Sequence, residues 1–370
     1  MDDSGMDDSG KEDDREEDHD ERSIEDDDGS DGVGFTAETT WVSTWSKESV
    51  SNAEAFETLV NHEMATVMEF DHWNVLRLRG IHQGPGRYQD IVDAGFVPHV
   101  VWLGPHAVED ESRDPWPDGT PEGRAYQEGG DRHGKFCQDV VEGVLDTKLR
   151  AMASELSRVD STVLWVPWEE ANGGWRTAIG TATNGPETWA AAWRHMYDLF
   201  DEEGADNLRW VLAPSGNVMR RDPVGSANGL DAWYPGDEYI DYAGVDFYDH
   251  GGRFYSEGEP AAIFDELIGQ YDAVSDQKLP FLVNEIGSHV EEDRAPDAEY
   301  TPAEWTREAV EAMRENDRIV GFLWWDAPPD LQLTDQYWGR EPTELTDVGE
   351  AYAEEIAHEA IIGDAGYRRG

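Results

Sequence analysis

A single (β/α)8 barrel is the fold this sequence predicts, and three observations predict it. Short runs rich in β-branched and aromatic residues recur eight times. Most are separated by stretches with apolar residues at helical spacing, and several end on carboxylates or Gly-containing turns. The first two patterns describe strands alternating with helices, which pack as a parallel sheet with the helices outside. The third describes acids at strand ends, the face where such barrels build their sites. Eight strands over about 290 residues fit a closed TIM barrel. An open doubly wound sheet would want a Gly-rich phosphate turn after an early strand, and Gly84-Pro85-Gly86 is too short and contains Pro.

Residues 1–34 open with Met1-Asp2-Asp3-Ser4-Gly5, nearly repeated by Met6-Asp7-Asp8-Ser9-Gly10, and continue in acid runs through Asp31. Such a segment buries almost nothing and repels itself, so a disordered, solvated tail is expected. Globular composition begins at Phe35, which divides the chain into a 1–34 tail and a 35–370 barrel domain. The expected strands are Thr40–Trp45, Ala65–Phe70, Val97–Leu103, Thr162–Trp168, Leu208–Ala213, Tyr242–Tyr248, Pro280–Ile286 and Ile319–Trp325. Helical spacing marks Val140–Leu156, Trp189–Phe200, Ile263–Tyr271 and Trp305–Met313, with stops such as Gly204 and Asn316. The longest interruption, Pro105 to Arg132, is crowded with Pro, Gly and acids around Asp114-Pro115-Trp116-Pro117 and reads as a functional loop on the active face.

Charge narrows the partners. The formal net charge is −54, and the lysines are only Lys11, Lys47, Lys135, Lys148 and Lys278. Self-repulsion on this scale is relieved where salt shortens the Debye length to about 3 Å, so a halophilic source is expected. Nucleic acid and anionic membranes are excluded as partners, because phosphate contacts need cations that this surface lacks. Cys137 stands alone, which excludes a disulfide framework and a thiolate cluster. No stretch approaches the ~18 apolar residues of a membrane span, and no signal peptide is visible at the N-terminus. Scattered His62, His72, His82, His106 and His133 lack ligand spacing, so neither metal nor cofactor is expected.

The chemistry concentrates in two runs. Thr162-Val163-Leu164-Trp165-Val166-Pro167-Trp168 stops on Glu169-Glu170-Ala171-Asn172-Gly173-Gly174-Trp175, and Val283-Asn284-Glu285-Ile286-Gly287 is a second apolar strand ending on a glutamate. Two glutamates facing across a barrel mouth are what glycosidic hydrolysis needs. One neutral acid protonates the leaving oxygen, and one carboxylate attacks the anomeric carbon or activates water. Sixteen Trp suit a sugar site, since indole rings stack on the C–H faces of sugars, although Trp165, Trp193 and Trp210 read as core.

Glu170-Ala171-Asn172-Gly173-Gly174-Trp175 resembles the acid/base motif of glycoside hydrolase family 26, usually His-Glu-Met-Asn-Gly followed by Trp. Trp189 to Trp210, Trp233-Tyr234-Pro235-Gly236-Asp237 and Asn284-Glu285-Ile286-Gly287-Ser288 are similar to further segments of the family, with Val97–Trp102 and Gly134-Lys135-Phe136 matching more loosely. The resemblance implies a retaining double displacement, with Glu170 as general acid/base, Glu285 as nucleophile and Tyr248 as the tyrosine that hydrogen-bonds it. It also implies Trp324 as the aromatic platform under the sugar, with Trp175, Trp116 and Trp102 as further stacking positions.

Glu169 is a departure, because the family usually carries His there. If it reaches the site it accepts a bond from a sugar hydroxyl, and its charge favours the protonated form of Glu170; if not, it is one more rim acid. The position contacts substrate in the family, so the change bears on specificity.

The expected activity is therefore that of an endo-β-1,4-mannanase, with β-1,3-xylanase and mixed-linkage β-glucanase as the alternatives within the family. A carbohydrate-binding protein that has lost turnover is the alternative outside it. A barrel enzyme for phosphorylated metabolites would need cationic or Gly-rich anion sites at the last strands, which Asn284–Ser288 and Asp326-Ala327-Pro328-Pro329 do not offer. The expected partner is a polysaccharide or oligosaccharide, met by a monomer. A polymer requires action outside the cell, and an imported oligosaccharide would allow a cytoplasmic site.

Overall fold

The computed structural model describes residues 37–42, 49–71, 85–104, 134–174, 185–253, 258–289, 295–326, 333–334 and 343–357. The acidic segment 1–34, the loop holding Trp116, and Trp175 lie outside these residues.

Strands β2 (Thr66–Asp71), β3 (Val97–Trp102), β4 (Val163–Pro167), β5 (Leu208–Leu212), β6 (Tyr242–Asp249), β7 (Phe281–Ser288) and β8 (Ile319–Asp326) pair in chain order as a parallel sheet, and β1 (Ala37–Val42) adds to the outer side of β8. The sheet is strongly curled. In a flat sheet β3 and β7 would lie about 19 Å apart, yet His99 Nε2 on β3 is 2.7 Å from Asn284 Oδ1 on β7. Phe70 on β2 and Trp325 on β8 bring their rings to 5.2 Å. Strands β2 to β8 begin and end within two residues of the expected positions, whereas β1 lies three residues earlier than expected.

The helices are α1 (Ser49–Val60), α2 (Pro85–Ala94), α3 (Phe136–Val141), α4 (Asp146–Leu156), α5 (Pro186–Glu202), α6 (Gly216–Arg221), α7 (Leu230–Trp233), α8 (Pro260–Asp272), α9 (Pro302–Glu315) and α10 (Asp347–Ile356). The expected Val140–Leu156 helix is two helices, because Gly143 takes φ +74° and ends the first in a left-handed turn. Helix α9 starts with Thr301 accepting from the Glu304 N–H while the Glu304 side chain returns to Thr301 N–H, and Pro302 follows the cap. Helix α5 places Trp189, Trp193, Met196 and Phe200 four, three and four residues apart, one buried stripe.

That stripe meets the outward side chains of the sheet. Trp165 packs on Phe200, Trp189 on Trp168, Trp193 and Trp233, and Trp210 on Trp193 and Phe200, a continuous aromatic layer between β3–β5 and the helices. Most of the well-placed tryptophans thus serve packing. Among the described residues no helix is long and apolar enough to cross a membrane.

Candidate active site

The turn after β4 and the central residues of β6 and β7 bring four carboxylates together, and on β4 and β7 a local backbone device does it. On β4, Trp165 faces the helices, and simple alternation would carry Trp168 and Glu170 inward and Glu169 outward. The backbone departs from alternation after Pro167. Trp168 adopts φ +59° and Glu170 φ +50°, left-handed conformations that cost a non-glycine residue about 1–2 kcal/mol each. The Trp168 ring consequently swings outward against Trp102, Phe136 and Trp189. Glu169 turns inward and is 2% exposed. Glu170 is half-buried at the rim, its N–H donating to Ala213 O at 2.8 Å.

Asn172 holds this turn. Its amide nitrogen donates to Ser215 O at 3.1 Å and its Oδ1 accepts from Ser215 N–H at 2.8 Å, tying the loop after β4 to the residues after β5. Asn217 does the same for β6, exchanging two bonds of 3.3 Å with the Tyr248 backbone.

On β7 a bulge replaces alternation. Val245 pairs with Val283 but Asp246 with Glu285, so Asn284 is the extra residue, and both Asn284 and Glu285 face the interior. Asn284 Nδ2 donates to Asp246 Oδ1 at 2.6 Å, which turns its Oδ1 to His99 and makes His99 Nε2 the donor there. Burial lowers His99 to about 4, so its imidazole is neutral at ordinary pH.

Glu285 is buried and accepts a short hydrogen bond at Oε2 from the Tyr248 hydroxyl. Desolvation, then the charge of Glu169, that of Asp246, a hydrogen bond with Glu169 and the charge of Glu170 push its carboxyl well above the ordinary range. Burial and the charges of Glu285, Asp246 and Glu170 raise Tyr248 as well, so it remains a phenol and a donor. One oxygen from each of Glu169, Asp246 and Glu285 lies within 4.8 Å of the others, the only such grouping of potential ligands among the described residues. Three carboxylates this close need a proton or a cation among them.

Two of the expected stacking residues are corrected by the structure. Trp324 is fully buried against Trp305 of α9 and Tyr352 of α10, on the helix side of the sheet. The ring on the carboxylate side is its neighbour Trp325, 6.5 Å from Tyr248 and edge-on to it. Trp102 is likewise buried, stacked on Trp165 at 6.0 Å and edge-on to Phe136, outside the barrel interior. Alternation decides both cases: the neighbour of an outward residue faces inward.

Sequence reasoning missed Asp246, which a period of two from Tyr248 would have placed on the inner face. It also missed His250 and His289, whose rings stack at 4.2 Å just beyond β6 and β7. Burial, His289 and Arg253 hold His250 down to about 4, which keeps it neutral. Below them Asp249 accepts from Ser288 Oγ at 2.9 Å and Gly251 N–H at 2.8 Å, locking the two strand ends together.

Comparison with known proteins points in one direction. A protein named endoglucanase H from Acetivibrio thermocellus is 30% identical over 191 residues, covering 50% of this chain and 20% of that protein. A mannan endo-1,4-beta-mannosidase from Thermothelomyces thermophilus is 30% identical over 142 residues, covering 37% and 24%. The chain thus spans between a fifth and a quarter of the length of these relatives. In fold it is similar to the GH26 domain of an endo-beta-mannanase/endo-beta-glucanase from Prevotella bryantii, with TM-score 0.54 and 15% identity over 90% of this chain and 92% of that one. The Podospora anserina GH26-CBM35 beta-(1,4)-mannanase gives TM-score 0.55 and 19% identity over 90% and 64%. Residues 136–280, which hold β4 and the Glu169-Glu170 turn and stop just short of β7, match the model of glycosyl hydrolase family 26.

Proposed function

We propose that this chain is a retaining glycoside hydrolase that cleaves β-linked polysaccharide, an endo-β-1,4-mannanase first. One observation carries the reading: Glu285 stands buried on β7, bonded by Tyr248, with the half-buried Glu170 in the turn after β4 close enough to act on its charge. A general acid wants water within reach and a nucleophile wants a fixed, dry position, and the two exposures differ in that sense.

In the first step a Glu285 oxygen bonds to the anomeric carbon as the glycosidic C–O bond breaks, and the Glu170 proton goes to the leaving oxygen. In the second, Glu170 takes a proton from water, whose oxygen displaces Glu285. Tyr248 orients the nucleophile through Oε2. Trp325 is our sugar platform, and closure of the sheet between β1 and β2 completes the mouth. The acidic segment 1–34 remains outside this domain in our reading, and a polymeric substrate implies action outside the cell.

Mixed-linkage or β-1,4-glucan is the second reading, favoured by the relative named endoglucanase H and by Glu169 at the family's His position. The test is reducing-sugar release from β-mannan, β-glucan and β-1,3-xylan at about 3 M salt. Glu170→Ala and Glu285→Ala should each lower activity on the responding glycan at least about a thousandfold, some 4 kcal/mol of transition-state stabilisation. A folded wild type that binds glycan and releases nothing would instead be a carbohydrate-binding barrel.

A further inference from the structure

Glu169 does not stay on the rim. Glu169 is 2% exposed, and one of its carboxyl oxygens lies within 4.8 Å of oxygens of both Glu285 and Asp246. An ionised carboxylate only accepts hydrogen bonds, so two carboxyl groups held this close can bond to each other only through a proton on one of them. Two adjacent charges in a buried site also repel too strongly for both to persist, as in paired-carboxyl sites generally.

We propose that Glu169 and Glu285 share one proton, and that Glu169 is a positioning residue that holds the Glu285 carboxyl group through it. The positioning role rests on the glycosidase reading above; the shared proton does not. Among the described residues, the titratable groups facing the pair are Asp246 and Tyr248 from β6, Glu170 from the turn after β4, and His99 of β3 acting through Asn284. None supplies positive charge. Tyr248 stays a phenol and His99 stays neutral, while Asp246 adds negative charge. Among the described residues a proton is therefore the neutralising charge the site provides.

The chemistry balances without any co-reactant. When Glu285 attacks, its oxygen bonds to the anomeric carbon, the leaving C–O bond breaks, and Glu170 supplies the leaving group's proton. The shared proton stays with Glu169 while Glu285 is bonded to the sugar. Its hydrogen bond weakens as Glu285 is esterified and re-forms as Glu285 departs as a carboxylate in the second step, so Glu169 steadies the leaving group of deglycosylation. A second proton on the pair would silence Glu285, and loss of the shared proton would leave two adjacent carboxylates. The two titrations belong to the pair jointly.

The test has a readout that needs no substrate. Infrared spectra of the wild type at neutral pH should contain the carbonyl band of a protonated carboxyl group. Glu169→Gln and Glu285→Gln should each remove it, and Glu169→His serves as a second replacement should the first fail to fold. For kinetics, dinitrophenyl β-glycosides need no proton from Glu170, so kcat/KM against pH reports the surroundings of Glu285. The wild type should lose at least about tenfold as pH rises through loss of the shared proton. Glu169→Gln, whose amide donates at every pH, should abolish that alkaline fall. A folded wild type with no such band overturns the proposal, as does a band unchanged in both Gln variants. A band that emerges only after cations are dialysed away assigns the cluster to a cation and also overturns it. A band that behaves as expected in a protein that cleaves no glycan removes the glycosidase reading and leaves the shared proton standing.

Discussion

Burial and three neighbouring carboxyls all oppose the charge of Glu285. Its folded-state value lies above its ordinary one, so the folded protein holds this proton more tightly than the unfolded chain does. The resulting stabilisation is complete below the ordinary carboxyl value and is lost as pH rises through the raised folded value. A glutamine at this position never ionises. Glu285→Gln should therefore match the wild type's melting temperature at about pH 4 and exceed it at about pH 8. Thermal melts at the two pH values decide it, and a variant less stable than wild type at the higher pH would contradict the direction of the shift.

At the level of elements, departures from alternation place the site. Strand β4 leaves alternation just past its end by left-handed residues, and β7 leaves it in its middle by a bulge at Asn284. Strand β8 keeps its alternation to Trp325, which makes Trp324 and Trp325 a matched pair of probes. Trp324→Ala should cost about 3–5 kcal/mol of stability by emptying the space between Trp305 and Tyr352, with KM unchanged in the folded fraction. Trp325→Ala, at a half-buried position, should cost less stability and raise KM on the responding glycan by about tenfold. Denaturant unfolding together with steady-state kinetics separates the two, and a reversal of the pattern would return the platform to Trp324.

Over the whole molecule, 82 acids face 28 lysines and arginines. Among the described residues, several arginines pair at the surface, as in Arg150 with Glu202 and Glu203 and Arg307 with Glu354. Exposed pairs of this kind contribute about 0–1 kcal/mol each and leave most of the negative charge uncompensated. Screening should then stabilise the fold. Raising sodium chloride from about 0.15 to 3 M is expected to lift the melting temperature by on the order of 10 °C, because the Debye length shrinks from about 8 Å to below 3 Å. Chloride is the informative salt, since sulfate would stabilise through exclusion from the surface. A melting temperature insensitive to sodium chloride would mean that the charges are already compensated locally.

The positions of β2 to β8 and the core places of Trp165, Trp193 and Trp210 were legible in the sequence, because they follow from periodicity and from where apolar runs stop. The inward turn of Glu169, the double inward step of Asn284 and Glu285, and the exchange of Trp324 for Trp325 were not. Each depends on a single backbone irregularity or on the absolute phase of a strand. A period of two says which residues share a face but not which face meets the interior. That choice is made when the sheet curls and the aromatic layer on α5 claims one side of it, leaving the other for the carboxylates.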